Sequence, residues 1–423
     1  KGRTIWGYRI RGVNPVDNPV RIWVQGALHG DEKATPDGVM LLVQNVLIDA
    51  ALANEVELLV VPIANPDGYA RAQRQSASGM DLNRDMMMRQ GHENQLLMSF
   101  FNDFMPEVSV DFHEFRPYRS DFTEIGTRGV TAYYDNMFLG SSNLNIPEVL
   151  RTEIASYVET ASAAASTWGY RTHPYFVPED DHGSMRMRLG SASSRSTATN
   201  YALHNCVSAL IETRGVGQGR SALKRRVHSM AVIGLSYVKK AASNPEHLRE
   251  VLRAALVDPA GPVVDVNQPI EKRSYTFIDL AKRDAANFDF ATRDYSLMEP
   301  KSVRPKPKYY LLSVSALSPE LVRSGFFASI ERRTFFEEPV MAYLVVQESN
   351  GFGANNQRTQ KVHCNQSKMK VSGDFLVLAM NGNCSRLWYE LMEPELENSL
   401  VRNGLIESSV GSHLPYYAIY ETY

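Results

Sequence analysis

Four residues near the start of the chain, His29-Gly30-Asp31-Glu32, close the apolar run Ile22-Trp23-Val24-Gln25-Gly26-Ala27-Leu28. They set an imidazole and a carboxylate three residues apart where a strand gives way to a helix. Zn²⁺ takes nitrogen and oxygen ligands of this kind, and a hydrolytic zinc keeps three protein ligands with one position open. Such a half-site calls for one more ligand, a base and an anion clamp. His113, in Val108-Ser-Val-Asp-Phe-His113-Glu114, is the candidate third ligand, because of the ten histidines only His29 and His113 end a convincing apolar run. Standing alone, a histidine there is more often structural; the upstream His29/Glu32 pair makes it a ligand candidate.

Two further groups carry chemistry. The first is Asn65-Pro-Asp-Gly-Tyr69, followed by Arg74 and by Asp81-Leu-Asn-Arg-Asp85. Asn-Pro-Asp-Gly reads as a turn, whereas Arg74 and Arg84 carry guanidinium forks suited to carboxylates and oxyanions; a solvated charged loop is the plain alternative. The second is Ala209-Leu-Ile-Glu212-Thr-Arg-Gly215, which sets a carboxylate at the end of an apolar run. By itself Glu212 reads as a helix cap or ion-pair partner. Beside a metal site it is a base, since desolvation in a cleft raises a carboxylate pKa toward neutrality.

The elements that must position these groups follow from periodicity. Arg21 to Leu28 reads as a buried strand, Pro36 to Ala53 as a helix and Val56 to Ile63 as a second strand. Glu107 to Phe112 and Cys206 to Ile211 supply more strands; Pro147 to Thr167, Ser221 to Ala242 and Pro245 to Leu256 supply helices, and Arg3 to Ile10 is strand-like. The pattern predicts an α/β fold, a mixed, mostly parallel sheet flanked by helices. In such sheets sites gather beyond the carboxyl ends of strands, so one crevice can hold His29, Asn65, His113 and Glu212. After Asp258-Pro-Ala-Gly-Pro262 the strand-like runs shorten, giving a catalytic region over 1–258 and a second, β-rich C-terminal domain over 259–423. Arg304-Pro-Lys-Pro-Lys308 reads as an extended connector and Gly351 to Ser367 as a long loop. Gly215-Val-Gly217-Gln-Gly219 lacks both the Lys-Ser/Thr ending and the full dinucleotide spacing, so it is no nucleotide signal.

Bulk properties exclude other classes. Forty-five Lys+Arg against 47 Asp+Glu leave a net charge of −2, which gives no bulk attraction to nucleic acid or anionic lipid. No run of about eighteen apolar residues exists to span a membrane. The three cysteines match no structural zinc module; Cys364 and Cys384 are candidates for one bridge, and Cys206 reads as a buried thiol. The chain opens at Lys1 on a strand-like segment, which reads as trimmed or processed.

Taken in order, His-x-x-Glu at 29 and 32, Asn-Pro-Asp-Gly at 65 to 68, Arg at 74, Asp-x-Asn-Arg at 81 to 84, His at 113 and Glu at 212 resemble the zinc carboxypeptidases of the M14 family. The resemblance implies one Zn²⁺ per chain, bound by His29, Glu32 and His113, with Asp81 orienting His29. It implies that Arg74 stabilises the oxyanion, that Asn83 and Arg84 hold the terminal carboxylate of a peptide, and that Glu212 is general base, then acid, in hydrolysis of the C-terminal peptide bond by a zinc-activated water. It also implies a periplasmic or secreted location. The family generally places a tyrosine upstream of the catalytic acid; Tyr175 and Tyr201 are both candidates, and the role stays unassigned. His182-Gly-Ser-Met-Arg186-Met-Arg188 and Arg195 either line the side-chain pocket and favour an acidic substrate or are surface arginines. Gly373-Asp-Phe-Leu-Val-Leu and Leu391-Met-Glu-Pro-Glu395 resemble an appended region of larger bacterial members, which would wall the cleft or bind a partner. Two other functions stay open: a zinc amidohydrolase acting on N-acyl amino acids or peptidoglycan stem peptides, and a non-catalytic module that retained the metal.

Overall fold

The structure, a computed structural model, describes residues 2–181, 183–328, 330–352 and 358–420. Its N-terminal part runs through β1 (Tyr8–Arg11), β2 (Val20–Gln25), β3 (Val56–Val61), β4 (Val108–Phe115), β5 (Val130–Ala132), β6 (Asn136–Gly140), β7 (Thr172–Pro174), β8 (Phe176–Asp181), β9 (Ser184–Leu189) and β10 (Ala209–Arg214). A seven-stranded sheet has the order β1-β3-β2-β4-β10-β6-β7. Its β3/β2, β2/β4, β4/β10 and β6/β7 pairs are parallel, while β1/β3 and β10/β6 are antiparallel. The fold is thus α/β with a mostly parallel sheet.

Both faces of that sheet are covered. In β2 the odd and even positions separate: Ile22 and Val24 join one apolar cluster and Trp23 another. The first cluster packs under the helices Thr35–Ile48, Glu148–Thr167 and Leu223–Ser243; the second packs against Leu97, Met98 and Phe101 of helix His92–Phe104. Burying each such side chain stabilises the fold by about 1.5–3 kcal/mol. In β4, Val108, Val110 and Phe112 face the first cluster, so the alternation of a strand sends Ser109, Asp111 and His113 to the opposite side. The strand begun by Cys206 in the sequence reading starts instead at Ala209 and runs through Glu212 to Arg214, and the N-terminal strand is confined to Tyr8–Arg11.

The chain after residue 258 does two things. β11 (Val263–Asn267) and β14 (Glu299–Val303) form a ribbon, and between them β12 (Ile270–Asp279) and β13 (Asp284–Asp294) enter a five-stranded sheet of order β5-β12-β13-β9-β8. Strands from both sides of residue 258 therefore share one sheet, over an aromatic cluster that includes Phe115, Phe122, Phe176, Tyr275 and Phe277. Then β15 (Tyr309–Ser313), β16 (Arg332–Phe352), β17 (Arg358–Ala379) and β18 (His413–Ile419) close a barrel. The β-rich C-terminal region expected from sequence is present. Its buried Glu393 accepts hydrogen bonds from Tyr310, Tyr343 and Arg304, and Arg304 also bonds Glu395, so the Arg304–Lys308 connector is tied to the barrel.

Two expectations are corrected. Gly351 to Ser367, read as a loop, belongs to the β16/β17 hairpin apart from 353–357, which lie outside the described residues. It was misread because Val362 and Cys364, which pack into the main core, are the only buried positions among 359–367, and two apolar residues in a polar stretch are too few to read as a strand. Cys364 and Cys384 are free thiols rather than a bridge, one in β17 and the other capping helix Ser385–Met392; Cys206 is a buried free thiol. Among the described residues, no helix is long and apolar enough to cross a membrane.

Helix Thr197–Leu203 ends on His204, whose Nδ1 donates to the Asn200 carbonyl at 2.7 Å while Nε2 accepts from Arg89 Nη2 at 3.3 Å. Burial, with the Arg89 charge beside it, pushes the His204 pKa down to about 3. The unfolded chain takes up that proton near pH 6.5 and the folded chain only near pH 3, so stability falls as pH drops through this window. His204→Gln should flatten that fall, read as the difference in urea midpoint between pH 7 and pH 4.5; an equally steep fall would mean that other groups cause it.

Candidate active site

The metal candidates sit where β2 and β4 run out side by side. After β2 the chain turns through Ala27, a non-glycine residue at φ 49°, and Ala27 N–H donates to Thr35 Oγ1 at 2.7 Å. This brings His29 and Glu32 back over the end of β4. The turn lies against the Asn65–Gly68 segment so closely that a Cβ on Gly30 would sit 1.9 Å from the Gly68 carbonyl carbon. Asn-Pro-Asp-Gly is therefore more than a turn. Asn65 caps helix Pro66–Arg71, accepting from Gly68 N at 2.9 Å, and its Nδ2 donates to the Leu28 and Arg74 carbonyls.

His29 Nδ1 lies 2.6 Å from Glu32 Oε1 and 3.2 Å from His113 Nδ1, and His113 Nδ1 is 3.2 Å from Glu32 Oε2. One ligand atom from each of the three residues lies within 4.8 Å of the others. All three side chains are at most 3% exposed, and apart from that ion-pair contact with His113, Glu32 Oε2 has no hydrogen-bond partner among the described residues. Two nitrogens and an orphaned carboxylate oxygen converging in a buried space are a donor set that fits a zinc ion. Burial raises the Glu32 pKa, but His29 and His113 outweigh it and hold the carboxyl down to about 2.

The far sides of both rings face acids. Asp81 Oδ1 is 3.3 Å from His29 Nε2, and its Oδ2 accepts from Arg74 Nε at 2.9 Å. Burial opposes its ionisation, yet the His29 bond and charge, with Arg74 and Arg84, hold the Asp81 carboxyl far below the ordinary range. Asp111 Oδ1 lies 3.2 Å from His113 Nε2 and accepts from Gln25 Nε2 at 2.8 Å. Sequence reasoning passed over Asp111, although strand alternation puts it on the His113 face.

Asp81 also caps the short 3₁₀ helix Leu82–Arg84 through Asn83 N. Asn83 Oδ1 accepts from Thr197 N at 2.9 Å and from Thr197 Oγ1 at 3.3 Å, which leaves its amide nitrogen without a partner among the described residues. Thr197 was another omission; its hydroxyl also bonds Asp111. Glu212 stands directly beside His113 in the parallel β4/β10 register. Its Oε2 is buried and has no hydrogen-bond partner among the described residues. Burial and the Glu32 charge, outweighing His113, His29 and Arg74, raise its pKa to about 7.

His29, Glu32, Arg74, Asn83, Arg84 and Glu212 all line one cleft of about 1360 Å³. Tyr175 lines it as well; its hydroxyl makes no hydrogen bond among the described residues, and its raised pKa reflects burial and then the Glu212 charge, opposed by Arg188, Arg84 and Arg74. Tyr201 is ruled out as a cleft residue: it is buried in the core, bonded to Gln25. Of the three arginines considered for the pocket, Arg188 and Arg195 line the cleft, while Arg186 does not. Arg188 pairs with Glu179 at 2.9 Å and Arg195 bonds Asn398 at 2.8 Å, so neither is a bare charge. His182 lies outside the described residues. The appended region reaches the cleft through Glu390, Leu396, Glu397 and Asn398.

Residues 1–99 match the family model described as zinc carboxypeptidase, peptidase M14. "Carboxypeptidase 2" of Trichophyton rubrum is 25% identical over 430 residues, covering 96% of this chain and 78% of that protein. "Probable carboxypeptidase 2" of Arthroderma benhamiae is 26% identical over 316 residues, covering 71% of this chain and 59% of that protein. Among solved structures, a metallo-carboxypeptidase from Pseudomonas aeruginosa aligns over 59% of this chain and 62% of its own, at 18% identity and a TM-score of 0.43.

A zinc ion bound to the folded state alone, at about a hundred times its dissociation constant, stabilises by roughly 2.7 kcal/mol. Thermal melts with and without Zn²⁺ should show that gain in the native chain and its loss in His113→Ala. A melting temperature indifferent to Zn²⁺ would mean the cluster is not a zinc site.

Proposed function

We propose that this chain, whose residues 1–99 match the zinc carboxypeptidase (M14) family model, is a peptide hydrolase of that kind and hydrolyses the C-terminal peptide bond of a peptide in the cleft described above. The observation that carries the reading is the Glu212 Oε2, without a hydrogen-bond partner among the described residues, beside the His29–Glu32–His113 cluster and in the same cleft as Arg74, Arg84 and Asn83.

The zinc, when bound, supplies Lewis-acid stabilisation of oxygen charge and makes water a stronger acid. Arg84 offers its guanidinium fork to the substrate's terminal carboxylate. With Asn83 Oδ1 committed to Thr197, the Asn83 amide nitrogen is left to donate to the same carboxylate. That pairing fixes which peptide bond enters the reacting position and so favours an exopeptidase. Among the described residues Arg74 has only Nε tied, to Asp81, so its remaining N–H groups can donate to the oxygen that gains negative charge as the carbonyl becomes tetrahedral. Glu212 takes a proton from the attacking water and returns it to the leaving amine nitrogen. A pKa raised by burial to near neutrality suits a group that must do both. The Tyr175 hydroxyl is available to hydrogen-bond the substrate backbone. The cleft arginines that are already paired do not by themselves choose a side chain.

Glu212→Gln keeps the size and burial of the side chain and should lower kcat by about 10²–10⁴-fold while zinc content and melting temperature stay unchanged. Turnover that survives the substitution would defeat the assigned role. Substrate class is tested by comparing N-blocked dipeptides, their C-terminal amides, N-acyl amino acids and muropeptides. We expect cleavage of the dipeptide acid and little of its amide; cleavage confined to acylated amino acids or muropeptides would establish the amidohydrolase reading instead.

A further inference from the structure

Glu390, on helix Ser385–Met392 of the C-terminal region, is 3% exposed and has no ion-pair partner among the described residues. Its charge is met by neutral donors from the N-terminal part. Oε1 accepts from Asn143 Nδ2 at 2.9 Å and Asn145 Nδ2 at 2.8 Å, and Oε2 accepts from Ser194 Oγ at 2.9 Å. Ser194 Oγ accepts in turn from Asn398 Nδ2 at 2.7 Å, and Asn143 Nδ2 also donates to the Ala192 carbonyl at 2.9 Å. Both ends of the Ala192–Ser194 stretch are thus held to a carboxylate that the catalytic fold does not itself supply.

The consequence lies three residues along. Thr197 opens helix Thr197–Leu203, and its N–H and hydroxyl are the groups that fix Asn83 Oδ1. Three residues span at most about 10 Å, so the segment anchored by Glu390 also sets where Thr197, and through it the Asn83 amide, stands. A carboxylate is the one side chain there that can accept from three donors at once without presenting a donor of its own.

We propose that Glu390 is a positioning residue for the carboxylate clamp: it holds the 191–197 segment so that Thr197 turns the Asn83 amide toward the substrate's terminal carboxylate. The inference rests on the clamp role given to Asn83 and Arg84 above. It makes the C-terminal region part of substrate recognition rather than only a wall.

In the full-length chain, Glu390→Gln replaces one accepting oxygen by an NH₂ group facing donors. Calorimetric titration with an N-acetyl amino acid and with its amide reads the clamp independently of turnover, and steady-state kinetics on a blocked dipeptide reads it in use. The variant should bind the acid about tenfold more weakly, the loss carried by one charge-assisted hydrogen bond, with amide binding unchanged. KM for the dipeptide acid should rise by a similar factor, with kcat within about twofold. Ser194→Ala, which deletes one donor without reversing it, should shift the same ratio less and serves if Glu390→Gln fails to fold. An unchanged acid-to-amide ratio in a folded variant overturns the inference, as does an equal loss for both ligands, which marks general damage. If the native chain itself fails to prefer the acid, the clamp reading falls and the inference with it; a preference for the acid without any turnover defeats only the hydrolase reading.

Discussion

Glu32 is a carboxylate with almost no contact with water, and taking such a group out of solvent costs several kcal/mol unless charge or hydrogen bonds compensate. Two imidazoles meet it at 2.6 and 3.2 Å. Each imidazole then needs its own orientation, which Asp81 and Asp111 provide from behind. Those acids require partners in turn: Arg74 and the Asn83 backbone for Asp81, Gln25 and Thr197 for Asp111. The cleft is organised outward from one buried charge, and two of the residues that meet the second ring of acids, Arg74 and Asn83, also line the cleft. Under the proposed function, Arg74 and Asn83 serve structure and chemistry together.

Much of this was legible in the sequence, because the residues nearest the buried charge are written in short motifs. His29, Glu32, His113 and Glu212 each follow or end an apolar run, where side chains from distant segments meet, while Asp81, Asn83 and Arg84 stand together in one short motif. What escaped notice has a common cause. Asp111, Gln25 and Thr197 act through partners far along the chain, and no local spacing reports a bond between residues 25 and 111 or 83 and 197. Alternation alone could have recovered Asp111, two positions before His113 on the same face of β4. Glu390 is harder: on a helix with every residue buried, a lone acid gives no sign of what it meets.

Fold reading succeeded and failed on the same principle. Apolar runs buried on both faces, such as those of β2, β3 and β4, stand out as strands whatever their neighbours. The outer stretch of the β16/β17 hairpin is mostly polar in sequence, so its hydrogen-bonded ladder has little counterpart in residue type. Asn65–Gly68 looked like a turn because a helix of only six residues offers no periodicity to detect, and Pro66 and Asn65 suit either role.

The shared sheet of β5, β12, β13, β9 and β8 also dictates a timetable. Val130 pairs with Asp279, and Arg188 with Arg293, so one wall of the cleft is built from segments synthesised far apart. As the chain emerges in order, Phe115, Phe122 and Phe176 are made well before Tyr275 and Phe277, the aromatic residues that cover them. Until residue 294 has appeared, an apolar surface beside the future cleft lacks the aromatic residues that cover it. Pairings of such long sequence separation close slowly and leave partly folded species prone to association. Completion of this cleft wall therefore waits on residues up to 294, by which point His29, Glu32 and His113 have long been made.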